Sequence, residues 1–574
     1  MTHKVWFNDH LSKLNISQET FLLFLAILVG VLVGSLAVFF RMVTDCLVTI
    51  ILINWKLSLP HYIALIPLIG GLLVGLVIHY GGHRASGHGI PEAIQAVALQ
   101  GGRMKGRTIF VEGIASILTI SFGGSVGRVG PVVEIGAGVG SLIGQFFDKK
   151  DEVVKMLLGC GAAAGIAAIF NAPISGVIFA LEIILGDFTP GNFSMLVISS
   201  VSADIIARTI FGDRPALIVE HSFQFHYSEL IFYMGLGIMA AIVGMIFIRT
   251  LYYIEDLFKK IPLRPEWLKP ALGGLSVGII GMFLPQVFGV GFGEIHQILN
   301  NNYGIGLLVA IMVFKLLATC LSIGSGMSGG VFAPTLLIGA SMGDLYGSIV
   351  QHFFSVDPKT YALVGMGTIL AGVSHAPITA VMMIFEMTRN YQIILPLLVA
   401  SVIANLLSRL ILKDNIYTMK LRRRGLIIHK GYDLAQLMQI QVFKAMSRDV
   451  DVVKMDEALS SVVEKMEESH HNGFPVVNDA GEMVGIITRH DLNKYSHEEL
   501  KRRKVKEVMT DKVKVVYPDE TLDQVLLRLV QYNVGRMPVV ERNNPTRILG
   551  VITRKDIVDF YQNRLLTEKT NDKC

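Results

Sequence analysis

The chain is 574 residues long, 52% hydrophobic and only 17% charged, with a formal net charge of +5 at pH 7. A soluble surface of this size would carry about 25% charged residues, so a wholly soluble protein is excluded. A small positive excess spread between apolar runs fits Lys and Arg beside an anionic lipid leaflet, and excludes nucleic acid as the partner.

Residues 1–20 read as a short amphipathic segment. The run 21–40 that follows has twenty residues and no charge, enough at about 1.5 Å per residue to cross a bilayer core of roughly 30 Å. Asp9 and Glu19 precede it and no small-residue cleavage site follows, which argues against a secretory leader. Further apolar runs cover 63–79, 109–122, 153–169, 193–208, 230–248, 271–283, 307–321, 345–354 and 393–412. Several are shorter than a span and are broken by Gly and Pro. Irregular backbone at membrane depth survives only where protein or a water-filled cavity satisfies it, so broken helices point to a transport site. The basic groups Arg103–Arg107, Lys149–Lys150, Lys259–Lys260 and Arg422–Arg424 all fall where they can share one side. The positive-inside rule makes that side cytoplasmic, with both termini on it. Cys46, Cys160, Cys320 and Cys574 lie far apart, show no metal-ligand or disulfide spacing, and read as packing residues.

The membrane part repeats itself. Pro131, Gly136, Gly140 and Gly144 match Pro334, Gly339, Gly343 and Gly347 at an offset of 203. Asn171-Ala-Pro173-Ile-Ser and Glu182 match His375-Ala-Pro377-Ile-Thr and Glu386 at an offset of 204. Two equally spaced blocks in the same order exceed what small-residue helix packing alone produces. Transport proteins often hold the substrate between such repeats, inverted about the membrane plane; the sequence carries the repeat but not the inversion. Glu182 and Glu386, at matched places, read as braces for helix ends.

Three stretches rich in Gly and Pro interrupt the apolar pattern: Gly-His-Gly-Ile-Pro at 87–91, Gly-Arg-Val-Gly-Pro at 127–131 and Gly-Val-Phe-Ala-Pro at 330–334. Each precedes an apolar or amphipathic run, as if a helix starts at the Pro. Gly lets backbone N–H groups approach a ligand closely, and a helix N-terminus offers free donors and a partial positive charge. Several such ends meeting inside a membrane would hold an anion weakly enough to release it; three ordinary helix breaks are the plainer alternative.

In this order the three motifs resemble those of the CLC family of chloride channels and chloride/proton antiporters. The segments 170–176, 385–391 and 416–422 match it as well. The resemblance implies a CLC-type helical multi-pass membrane fold, an inverted repeat of broken helices spanning 21–420, in a homodimer with one pore per subunit. It implies chloride as the bound ion, no required cofactor, and a place in the plasma membrane of a prokaryote. The anion set it implies is His88, Gly89 and Ile90 from the first motif, Arg128, Val129 and Gly130 from the second, Val331 and Phe332 from the third, and the Tyr417 hydroxyl.

Three departures bear on mechanism. Val129 occupies the place of the family's gating glutamate, and Ile183 that of the antiporters' inner proton-transfer glutamate. Neither side chain titrates, so strict exchange should be lost and downhill anion conduction is the simplest reading. His88 replaces the usual serine; a neutral imidazole still donates one hydrogen bond, and a protonated one adds charge. Such a donor could favour nitrate or bicarbonate, or serve a transporter with different coupling.

Past a linker at 421–440 the pattern turns soluble. Segments 476–492 and 539–557 each read as strand, turn and strand ending in Thr-Arg-x-Asp, with helices at 458–469 and 521–533 before them. They resemble a tandem pair of CBS domains, at 441–500 and 501–565, ahead of a tail at 566–574. That resemblance implies an adenine nucleotide in the cleft, held by Thr488 and Asp491 or by Thr553 and Asp556, or an empty dimerisation module. An enzyme is the poorest reading: no metal cluster, nucleophile–base pair or phosphate loop appears in the sequence.

Overall fold

A computed structural model describes residues 17–54, 63–81, 89–188, 190–213, 215–217, 226–300, 303–424, 426, 440–469, 471–495, 497–532, 534–557 and 560. The chain divides into two units, Met1–Ile428 and His429–Cys574.

The first unit is helical. Its first half holds α1 (Gln18–Leu47), α2 (Leu65–Tyr80), α3 (Ile90–Leu99), α4 (Gly106–Ser121), α5 (Val129–Phe146), α6 (Asp151–Phe170), α7 (Pro173–Phe179) with a π-helical turn at Ala180–Leu185, and α8 (Pro190–Phe211). The second half holds α9 (Leu230–Lys260), α10 (Lys269–Phe283), α11 (Phe292–Asn300), α12 (Ile305–Gly324), α13 (Phe332–Gln351), α14 (Pro358–Ser374), α15 (Pro377–Thr388), α16 (Ile394–Ile411) and α17 (Thr418–Arg423). Among the described residues seven helical stretches are long and apolar enough to cross a membrane. Large apolar side chains such as Phe39, Phe110, Ile231, Phe283 and Leu410 stand more than half exposed, which suits lipid and would be costly against water.

Helices α3, α5 and α13 start at Ile90, Val129 and Phe332, one or two residues before the prolines expected to open them. The first-turn amides have no intrahelical acceptor, so Pro fits anywhere in that turn. The apolar run 345–354 proves to be only the end of α13, whose earlier turns are diluted by Gly, Ala and Ser. Ser17 accepts from the Thr20 N–H at 3.2 Å and caps α1; residues 1–16 lie outside the described residues.

The repeat carries through to contacts, and these are reciprocal. Glu386 accepts from the N–H groups of Ile174 (3.1 Å) and Ser175 (2.6 Å) and from Ser175 Oγ (2.5 Å), closing the start of α7. Its mate Glu182 accepts from Thr379 N–H (2.8 Å) and Oγ1 (2.6 Å), closing the start of α15. Ser125 Oγ meets Thr319 Oγ1 at 3.0 Å, while Ser328 Oγ meets Ser116 Oγ at 2.5 Å. A pattern in which i meets j′ and j meets i′ is the signature of a two-fold axis. The same glycines set helix spacing in both halves: a Cβ on Gly161 would stand 1.8 Å from the Gly136 oxygen, and one on Gly365 2.5 Å from the Gly339 oxygen.

The second unit holds β1 (Val453–Lys454), α18 (Leu459–Glu468), β2 (Gly473–Val477), β3 (Met483–Thr488), α19 (Arg489–Leu492), α20 (His497–Arg502), α21 (Leu522–Gln531), β4 (Arg536–Glu541) and β5 (Asn544–Thr553). β1 runs parallel to β2, and β2–β3 and β4–β5 are antiparallel. Each copy again borrows from the other, since Ser447 bridges Val551 and Thr510 bridges Ile486.

Glu386→Ala strips three charge-assisted bonds from the start of α7. It should cost about 1–2 kcal/mol, read as a fall of a few degrees in thermal unfolding in detergent. Glu182→Ala should cost a similar amount at α15; an unchanged midpoint in both would mean water replaces these caps.

Candidate anion-binding site

Two helix starts are locked together by the repeat. The Gly127 N–H donates to the Gly330 carbonyl at 2.6 Å, and the Gly330 N–H to the Gly127 carbonyl at 2.8 Å. These glycines occupy corresponding places 203 residues apart, and the bridge between them is antiparallel. Two residues on, α5 and α13 begin at Val129 and Phe332, with Arg128 and Val331 as N-caps and no side chain closing either start. Their first-turn donors are left open beside the bridge. Space is short there: a Cβ on Gly330 would stand 2.7 Å from the Gly130 nitrogen, closer than the backbone allows, and one on Gly127 a tight 3.1 Å from the Ala333 nitrogen.

A third start joins them. Gly89 caps α3 at φ +70°, a conformation that favours glycine, and again no side chain closes the helix. A Cβ at Gly89 would stand 2.4 Å from the Gly130 oxygen. So Gly89 lies against Gly130, and Gly127 and Gly130 lie against Gly330 and Ala333. Tyr417 caps α17 at 1% exposure. Asn415 Oδ1 accepts from its N–H (2.9 Å), the Ile416 N–H donates to Val373, and Tyr252 Oη donates to the Ile416 carbonyl at 2.5 Å. The Tyr417 backbone is therefore fixed, while no hydrogen bond from the described residues reaches its hydroxyl. Ile90, Val129, Val331, Phe332, Tyr417 and Ile183 all belong to one buried cluster. His88 lies outside the described residues.

Val129 also lines a cavity of about 530 Å3, shared with Arg41, Asp45, Arg128, Phe170 and Gly289. Asp45 pairs with Arg128 and, at 3.8 Å, with Arg41. This charged mouth escaped the sequence reading, because Arg41 and Asp45 sit eighty residues before the motif they meet. So did two carboxylates, Glu134 on α5 and Glu112 on α4, at 1% and 3% exposure. Both were visible as charges inside apolar helices, a signal that by itself marks functional suspects. Glu182 and Glu386 instead serve as helix caps.

In the second unit Thr488, Asp491, Thr553 and Asp556 all line one cleft of about 1570 Å3. Thr488 donates to Asp491 Oδ2 from N–H (3.1 Å) and Oγ1 (2.7 Å); Thr553 and Asp556 repeat this at 2.8 and 2.8 Å. Arg448, Lys512, Lys514 and Arg554 line it too, a charge that suits phosphate oxygens. Arg536 spends Nη1 on the Gly473 carbonyl at 2.6 Å, and burial pulls its pKa below the usual guanidinium value.

Residues 70–409 match the family model described as voltage gated chloride channel, and residues 440–498 and 505–563 each match the CBS domain. A H(+)/Cl(-) exchange transporter ClcA of Vibrio cholerae is 32% identical over 417 residues, 70% of this chain and 89% of that one. A voltage-gated ClC-type chloride channel ClcB of Citrobacter koseri is 32% identical over 374 residues, 64% of this chain and 89% of that one. Among solved structures, a slow cyanobacterial Cl-/H+ antiporter superposes with a TM-score of 0.65 at 26% identity, over 71% of this chain and 99% of its own.

Gly330→Ala should push apart the starts of α5 and α13 and lower chloride efflux from liposomes by about tenfold or more, a barrier near 1.4 kcal/mol. Helix content by circular dichroism should hold. Unchanged efflux would place the ion path elsewhere.

Proposed function

Since the chain belongs to the CLC family, whose members move anions across membranes, we propose that it is a passive chloride channel. The observation that carries this reading is Val129, buried at 1% exposure at the start of α5 where a gating carboxylate would stand. Ile183, at 3% exposure, removes the second carboxylate of a proton path. An aliphatic side chain neither titrates nor competes with an anion, so chloride has no tethered rival at this place and no proton carrier there. In this reading backbone amides of Gly89, Ile90, Val129, Gly130, Val331 and Phe332 cradle the ion, with the Tyr417 hydroxyl as the one side-chain donor besides His88. Partial charges at helix starts stabilise an anion while keeping release fast. The working protein is a homodimer in a prokaryotic plasma membrane, with both termini cytoplasmic. The exchanger relatives favour a second reading, a proton-coupled transporter of chloride or of another anion such as nitrate or bicarbonate.

One experiment separates the two. In liposomes holding a chloride gradient, chloride should leave without uphill proton movement; a reversal potential that tracks the pH gradient at a fixed ratio would overturn the channel. Val129→Glu should depress flux at neutral pH relative to the parent and recover it on acidification, because an ionised carboxylate competes for the cradle.

The cleft of the second unit is proposed to take an adenine nucleotide that modulates conduction. Titration calorimetry of the protein with ATP, ADP and AMP should give binding heat with at least one of them, reduced by Asp556→Ala. No heat with any of the three leaves a module for assembly alone.

A further inference from the structure

Val129 and Ile183 remove carboxylates from two places, yet the fold buries another against the same corner. Glu134 sits four residues after Gly130 on α5, so both face one side of the helix. Its Oε2 stands 3.3 Å from where a Cβ on Gly89 would be, beside the open start of α3. The residue is 1% exposed, and no hydrogen bond from the described residues reaches its carboxyl group. A carboxyl group buried inside an apolar helix, beside a helix start, is a functional suspect.

Its surroundings are charged on one side only. Glu112 on α4 is buried nearby, its Oε1 accepting from Ser328 Oγ at 2.5 Å, which meets Ser116 Oγ at 2.5 Å. Glu92 on α3 is paired with Arg424 at 2.9 Å, and Lys420 on α17 is buried within reach of Glu92, Glu112 and Glu134. Elsewhere along α5 the neighbouring helices make close contacts through small or apolar residues among the described ones. α6 presents Leu157, Gly161 and Gly165, α1 presents Val33, and α13 presents Ala333. Arg424 also acts on Glu134, and Glu255 on α9 acts on Lys420, so carboxyl and basic groups are interleaved at this corner. His88 is next to Gly89 in the chain.

We propose that Glu134 is the titrating residue of the anion path. Ionised, it repels an anion at the Gly89–Gly130 corner; protonated, it admits one and has a hydrogen to donate to it. The proposal rests on the corner being the chloride path. It differs from a gate at position 129, because Glu134 lies behind the helix starts and cannot replace the ion by swinging between them. Leu337 holds the corresponding place in the second half, 203 residues on, so a single carboxyl group sets the response.

The test uses the full-length protein in liposomes with His88→Ser as the parent, so that the imidazole contributes nothing. Chloride efflux of the parent should rise about tenfold between roughly pH 8 and pH 5, one pKa unit of repulsion being a factor of ~10. Adding Glu134→Gln should give flux that is high and flat. Glu112→Gln removes a like charge beside Glu134, which favours the ionised form, and should move the midpoint of the parent's curve to lower pH. A Glu134→Gln protein that keeps the parent's pH slope, or a parent with no slope, overturns the proposal. If Glu134→Gln fails to assemble, the midpoint of Glu112→Gln decides: no movement overturns it. Proton uptake followed in the same vesicles reports on passive conduction separately, since uphill proton movement overturns the channel reading and leaves the Glu134 assignment to the pH slopes.

Discussion

A backbone N–H that stops partway through a bilayer must find an acceptor, because lipid offers none and an unmet group costs several kcal/mol. The membrane unit is built around that constraint. Its helices break at α7 and α15, and each break is closed by a glutamate from the opposite half, Glu386 at one and Glu182 at the other. At the starts of α3, α5 and α13 no N-cap side chain among the described residues closes the helix, and the glycine bridge from Gly127 to Gly330 ties two of the starts together. The capped starts and the uncapped starts obey one rule. The first are satisfied by protein, and the second leave first-turn donors open, which is what a bound anion requires.

Much of this was legible in the sequence, and the limits of legibility were physical. Gly and Pro at fixed places in both halves carried the repeat and the three helix starts, because those residues are demanded by backbone geometry rather than by neighbours. Gly89 and Gly130 stood out for the same reason, whereas Val331 and Phe332 were singled out through the resemblance of their motif to the CLC family. What one copy does for the other was not legible, since Glu182 and Thr379 are 197 residues apart and only a folded chain brings them together. The mouth formed by Arg41, Asp45 and Arg128 was missed on the same ground. Glu134 was overlooked for a different cause: its helix is rich in Gly and apolar residues, and the eye follows the motif three residues earlier. His88, the most informative departure in the first motif, lies outside the described residues.

The two halves also differ in a way that the repeat throws into relief. Glu112 on α4 and Lys315 on α12 occupy corresponding places, 203 residues apart, and both are buried. Glu112 is held by Ser328, while Lys315 donates to the carbonyls of Val287 (2.9 Å) and Gly289 (2.7 Å). Gly289 lines the cavity that reaches Val129. The pseudo-symmetric frame thus carries a buried carboxyl group in one half and a buried lysine at the matching place in the other.

Such a frame is, in effect, a two-fold assembly written on one polypeptide. Had the halves been identical separate chains, every substitution would have appeared twice, and a carboxylate at the place of Glu134 would have brought a second at the place of Leu337. Joining them frees each position from its counterpart. The clasps that need both partners, Ser175 with Glu386 and Thr379 with Glu182, keep near-identical chemistry on the two sides, whereas the matched pairs Glu134 with Leu337 and Glu112 with Lys315 have drifted apart. Covalent fusion therefore lets a scaffold stay symmetric while the route through it acquires a direction.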